Sequence, residues 1–182
     1  MSSTRYKCGT KVKAAFAKHV EGELPAKIGW YHETKMALPG LSVSQTRGVI
    51  SAAFEVAQVF VRIPFYRVRK RDNAKIVLQL GDPDEFDGTS GILAWSDVVS
   101  LRDPSQALIE FDPGDTWQRY FESNDAIHAL NVILHEGGHA IGFGHSTVKG
   151  GLLNPYYDPQ VLTPNKNELV LLYREYPELK SA

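Results

Sequence analysis

A chain of 182 residues, 43% hydrophobic and 23% charged, suits one globular domain with a sizeable core and is not the composition of a disordered chain. Its net charge of −1 supplies no global attraction to nucleic acid or to a membrane surface, and no apolar run reaches the roughly 20 residues that span a bilayer. A single cysteine, Cys8, excludes an intramolecular disulfide framework, so the fold must rest on its core and on bound metal.

Residues 1–25 are polar and mixed, and they read as an N-terminal arm or short pro-segment ahead of one domain over 26–182. The start, MSSTRYKCGTKVKAAF, is basic without an apolar core, so no secretory leader is expected in it. Action where the chain is made, export by another route and prior removal of a leader all stay open. AKIGWYHE (26–33) alternates as a strand does. LPG (38–40) is a turn, and Ser42 or Ser44 can cap the helix that follows. There Val49, Ile50, Ala53, Phe54, Ala57 and Phe60 recur at three- and four-residue spacing, which predicts one buried stripe.

FYRVRKR (65–71) alternates and AKIVLQL (74–80) predicts a strand with an apolar face. The basic run is read as a solvated face in preference to a nucleic-acid patch. GDPDEFDGTSG (81–91) is a loop, and GILAW (91–95) and ALIEF (107–111) are short strands. Ser123 or Asn124 is the expected cap of a second helix through DAIHALNVILHEGGHA. A last helix covers about 165–176. This order predicts an α+β domain with a mixed sheet.

The chemistry sits in HEGGHAIGFGH (135–145), with three histidines, one glutamate and four glycines in eleven residues. Residues four apart share a helix face, so His135 and His139 can hold one ion together. Glu136, one step on, projects beside that ion, where an activated water would sit. Gly142 can stop the helix with a sharp turn and let the chain double back to deliver His145. Three neutral imidazoles with an open fourth position describe a catalytic zinc site, whereas closed four-ligand sites are structural. A helix carries HExxH by chance often enough; HExxHxxGxxH fixes five positions and is the metzincin form.

Beyond that motif the chain resembles the matrixins, the matrix metalloproteinase-like catalytic domains of the metzincin clan. GILAW (91–95) is similar to their cleft-rim strand, and IEFDPGDTW (109–117) to the segment before their active-site helix. HSTVKGGLLNPYY (145–157) is similar to the stretch after the third histidine, and LVLLY (169–173) to the last helix. The resemblance implies a zincin-like α+β fold with a mixed, mostly parallel five-stranded sheet, three helices and a cleft across the zinc. It implies metal-assisted hydrolysis of peptide bonds, with zinc on His135, His139 and His145 and Glu136 as the base that takes a proton from the attacking water. Backbone groups of Leu93 and Ala94 would hold an extended substrate, and Pro155 to Tyr157 would wall the pocket beyond the cut; Tyr156 and Tyr157 read equally as packing aromatics.

Three departures follow from the same resemblance. Leu153 stands at the Met-turn position, a near-isosteric change that should keep the hydrophobic floor. Leu80, Trp95 and Glu110 replace the histidines of a structural zinc, with Asp82 alone remaining, so no second zinc is expected. Asp87, Asp112 and Asp115 fall where the family places carboxylates around calcium, with backbone oxygens of 88–92 completing the shell; plain solvated turns are the alternative. Cys8, followed by Gly9, faintly echoes the family's latency switch, although the surrounding switch residues are absent and lone cysteines are common.

The leading reading is a zinc-dependent endopeptidase acting on protein or peptide chains as a monomer, without nucleic-acid or membrane partners, and extracellular by family resemblance. The rivals are a catalytically silent zinc-binding module of the same fold and a specialised metzincin acting on a cell-wall or host protein.

Overall fold

The computed structural model describes residues 8–9, 20–87, 91–120, 122–123 and 126–180, with Asp87 described by its backbone alone. A five-stranded sheet has the order β2-β1-β3-β5-β4, built from β1 (Ile28–His32), β2 (Phe65–Arg67), β3 (Ile76–Leu80), β4 (Ala94–Ser96) and β5 (Ala107–Phe111). β1 runs parallel to β2 and β3, and β3 parallel to β5. Only β4, at one edge, is antiparallel to its neighbour. α1 (Val43–Val61), α3 (Ala129–Ala140) and α4 (Lys166–Glu175) are the three long helices. The mixed sheet and helix set match the expected fold.

Alternation along the strands explains the layering. Ile76 and Leu78 of β3 and Ala107, Ile109 and Phe111 of β5 are all fully buried, on the face that packs against the helices. α1 meets them with Val49, Ile50, Ala53 and Phe54, while Ala57 and Phe60 are partly buried at the core's margin. Ser42 caps α1: its hydroxyl accepts from the Gln45 amide, and the Gln45 side chain accepts from the Ser42 amide.

Three segments depart from the sequence expectation. The strand over 65–71 stops at Arg67, because Val68 and Ala74 fold across the outer face of the sheet to cover Val77, and Arg71–Asn73 form a single 3₁₀ turn. A short helix, α2 (Pro83–Asp87), occupies the expected loop, started by Asp82, whose carboxylate accepts from the Asp84 amide. The second long helix begins at Ala129, not after Ser123. Ile127–His128 (β7) pair instead with Trp117–Gln118 (β6). The Gln118 amide explains this: it donates to the Ser123 and Ala126 carbonyls and accepts from the Glu122 and Ser123 amides. Those backbone groups are engaged in a loop and cannot start a helix. Asn124, the other expected cap, lies outside the described residues.

On the outer face, Arg71 donates to Glu33 (2.7 Å) and Gln79 (3.0 Å), and Gln79 donates to Glu110 (2.7 Å). Trp95 lies opposite Glu110 on the edge strand. Burial holds the Glu110 carboxyl above its ordinary value of 4.5, and the Gln79 amide opposes this less strongly. A carboxyl raised in the folded state favours the fold below its unfolded pKa and loses that contribution as pH rises through the folded value. Glu110→Gln should therefore gain on wild type in urea midpoint as pH is raised from about 4 to 7. A difference between the two proteins that stayed constant with pH would contradict the assignment.

Candidate functional site

α3 carries His135 and His139 one turn apart, on a helix buried between α1 and the β4–β5 edge. Gly142 follows with φ +103°, a left-handed conformation that a side chain resists. A Cβ there would also press on the Tyr176 hydroxyl at 2.9 Å. That hydroxyl donates to the Ile141 carbonyl and accepts from the Leu101 amide, which pins the turn where the helix ends. The chain reverses and brings His145 back to the two helical histidines. Ring centroids lie 4.7 Å apart for His135–His139 and His139–His145, and 5.6 Å apart for His135–His145.

The ring nitrogens are oriented as well as close. His135 Nδ1 donates to the Leu152 carbonyl (2.6 Å) and His139 Nδ1 to the Phe143 carbonyl (2.7 Å). Carbonyls only accept, so both protons sit on Nδ1 and both Nε2 lone pairs face inward, 3.1 Å apart. His145 Nε2 is buried with no hydrogen-bond partner. Burial pushes the pKa of His135 down to about 4, aided by the charge of His145. Burial also lowers His139 well below its ordinary value and lowers His145. Three neutral imidazoles aiming lone pairs at one point repel one another unless a cation lies between them, and this donor set fits zinc.

Cys8 joins this cluster. Its Sγ and one ring nitrogen from each of His135, His139 and His145 all lie within 4.8 Å of one another, the one such group of potential metal ligands among the described residues. The backbone around it is docked: the Cys8 amide donates to the Pro155 carbonyl (3.0 Å) and the Gly9 amide to the Ala94 carbonyl (2.9 Å). Ala94 thus turns an acceptor toward the cleft from the sheet edge. The Leu93 carbonyl is engaged internally by the Asp112 amide.

Glu136 is 1% exposed and borders the same pocket as His135, Leu93, Pro155 and Tyr157. The far wall is a loop stapled to the start of α3, and this staple had no signal in the sequence reading. The Tyr157 hydroxyl accepts from the His128 amide, His128 Nδ1 donates to the Pro159 carbonyl, and the Asn131 amide donates to the Asp158 and Val161 carbonyls. Tyr157 packs against the core, whereas Tyr156 is exposed. His128 is buried at the N-cap of α3 and stands apart from the metal-ligand cluster.

Leu153 packs on α3, 4% exposed, with a methyl so near the helix backbone that a Cβ on Gly138 would meet it at 2.5 Å. Asp112 and Asp115 share the β5–β6 loop. Burial, then the charge of Asp112, pushes the pKa of Asp115 up to about 6. Asp112 accepts from the Gly114 amide. The Asp87 side chain and residues 88–90 lie outside the described residues. No helix among the described residues is long and apolar enough to cross a membrane.

Comparison with known proteins agrees with this geometry. The family model described as Matrixin matches residues 26–170. Matrix metalloproteinase-C of Caenorhabditis elegans is 30% identical over 150 residues, 78% of this chain and 24% of that protein. Metalloendoproteinase 4-MMP of Arabidopsis thaliana is 27% identical over 153 residues, 80% of this chain and 43% of that protein. Matrix metalloproteinase-15 of Homo sapiens is 30% identical over 144 residues, 72% of this chain and 19% of that protein. The chain therefore spans less than half the length of each of these relatives.

Proposed function

The chain belongs to the matrixin family, and from that premise we propose that it is a zinc-dependent endopeptidase whose ligands are His135, His139 and His145. The observation that carries this is the convergence of one ring nitrogen from each of the three histidines, with His135 and His139 fixed by Nδ1 bonds to backbone carbonyls. Zinc, when bound, supplies Lewis acidity toward a scissile carbonyl and toward water. Glu136, adjacent in sequence to His135 and shielded from bulk solvent, takes a proton from the attacking water and returns it to the leaving amine. The Ala94 carbonyl at the sheet edge and the Pro155 carbonyl opposite it hold the substrate backbone as an added strand. Pro155 and Tyr157 bound the pocket for the side chain after the cut.

We read residues 1–25 as an arm or short pro-segment ahead of the 26–182 domain, with Cys8 as its plug. The thiolate completes the ligand set, while the Cys8 and Gly9 amides occupy the carbonyls that a substrate needs. The same observation supports one other reading, a permanently closed four-ligand site in a silent module. In the β5–β6 loop, we read Asp112 and Asp115, with Asp87, as calcium ligands. Two acids held together, one with its proton affinity raised by burial, are relieved by a hard cation.

Three experiments check these statements. In the Cys8→Ala background, zinc-loaded Glu136→Ala should keep one equivalent of metal and lose on the order of 10²–10⁴ in cleavage of a quenched peptide library; cleavage equal to that of an active Cys8→Ala parent removes Glu136 from the chemistry. Cys8→Ala should retain zinc and cleave faster than the untreated full chain; an unchanged rate disposes of the plug, and inactivity with zinc bound favours the silent module. Chelating calcium from zinc-replete protein should lower Tm by about 5–10 °C if calcium had been at a hundredfold excess over its Kd. An unmoved melting curve excludes the calcium site.

A further inference from the structure

α4 opens at Asn165, whose side chain accepts from the Asn167 and Glu168 amides, while Glu168 reaches back to the Asn165 amide (2.8 Å). A capping box of this kind ordinarily ends at the helix surface. Glu168, however, is 1% exposed, and its carboxylate has a second engagement. Oε2 also accepts from the Leu152 amide (3.0 Å), and Oε1 accepts from the Leu153 amide (2.9 Å). The Leu152 carbonyl is the acceptor that holds His135 Nδ1. Leu153 is the residue whose side chain lies against α3 at Gly138. Gly151 leaves room for this arrangement, since a Cβ there would collide with Oε1 of Glu168.

We propose that Glu168 is a positioning residue for the metal centre, clasping the Leu152–Leu153 backbone so that the Leu152 carbonyl orients the His135 ring. The inference rests on the reading of His135, His139 and His145 as zinc ligands and extends it to a side chain that touches none of them. A buried carboxylate needs donors, and here three backbone amides and the N-terminal turn of α4 supply them. These bonds are charge-assisted and mutually constraining, so the peptide between residues 152 and 153 has little freedom. Its carbonyl is thereby aimed at His135 Nδ1 before any metal arrives. A glutamine here keeps the shape but offers one acceptor oxygen where the site requires two, and it turns an NH₂ group toward an amide donor.

The test separates positioning from plain stability. Zinc affinity is measured by competition with a chromophoric chelator for full-chain wild type, Glu168→Gln and Asn165→Ala, together with the metal-free Tm of each. Asn165→Ala removes the side-chain cap of the same helix but leaves the clasp on residues 152 and 153. Glu168→Gln should weaken zinc binding by about 10–100-fold, the usual effect of losing an outer-shell partner. Asn165→Ala should lower Tm and keep zinc affinity within about threefold of wild type. Wild-type affinity in Glu168→Gln, or an equal loss in both variants, overturns the proposal. Amide hydrogen exchange on metal-free wild type needs no variant: the Leu152 and Leu153 amides should be strongly protected, and free exchange at both overturns the clasp. Wild type that took up no zinc would overturn the three-histidine reading as well, an outcome distinct from failure of the clasp alone.

Discussion

A histidine ring is aimed by the bond its other nitrogen makes, and in this molecule backbone from beyond the helix makes that bond for His135 and His139. His139 is held by the Phe143 carbonyl, four residues on, and His135 by the Leu152 carbonyl, seventeen residues on. The helix alone supplies proximity at the i, i+4 spacing; the return of the chain supplies orientation. Several otherwise unrelated features serve that return. Gly142 permits the reversal, Tyr176 ties its carbonyl to the C-terminal segment, and α4 secures the Leu152–Leu153 peptide. Burial then keeps the rings neutral at physiological pH, which is the state that binds metal.

The cleft follows from the one antiparallel strand. An edge strand leaves unpaired carbonyls and amides, which either attract another chain or must be covered. β4 is such an edge, and the Ala94 carbonyl is taken by the Gly9 amide of the chain's own arm. On the opposite rim the Pro155 carbonyl takes the Cys8 amide. One short segment thus satisfies both rims and sets a sulfur among the three histidines. The two anchors are weak individually, about 1 kcal/mol each net.

Legibility in the sequence tracked interaction range. The buried stripe of α1, the strand at 107–111, the sheet class and the histidine spacing are local or periodic, and each is written within about twenty residues. The start of α3 differs from the sequence expectation because DAIHAL has helical composition. What prevents the helix is a side chain elsewhere, the Gln118 amide, which engages the amides of Glu122 and Ser123 and the carbonyls of Ser123 and Ala126. Asn165-x-x-Glu168 is visible as a capping pattern, but nothing local reports that its carboxylate also reaches Leu152 and Leu153. The loop staple at His128 and Asn131 escaped for the same reason: its acceptors are main-chain carbonyls, which have no side-chain identity to read.

The outer face of the sheet shows how a buried carboxylate is satisfied by side chains of neighbouring strands. There Glu110 of β5 lies opposite Trp95 of β4 and beside Gln79 of β3. Glu110 is 7% exposed, so it would be a costly isolated charge. It is not isolated: Gln79 on the neighbouring strand donates to it, Arg71 donates to Gln79 and to Glu33, and β1, β3 and β5 are thereby linked across their outer surface. An amide and a guanidinium do in part what a divalent ion does, satisfying a carboxylate and tying adjacent strands. They do it with neutral and singly charged groups, so Glu110 keeps a raised pKa where a bound cation would have lowered it. That residual strain is small beside the burial of the opposite face, where Ile76, Leu78, Ile109 and Phe111 carry the packing. The sheet thus holds β4 at its edge, with the Ala94 carbonyl turned to the cleft and accepting from the Gly9 amide.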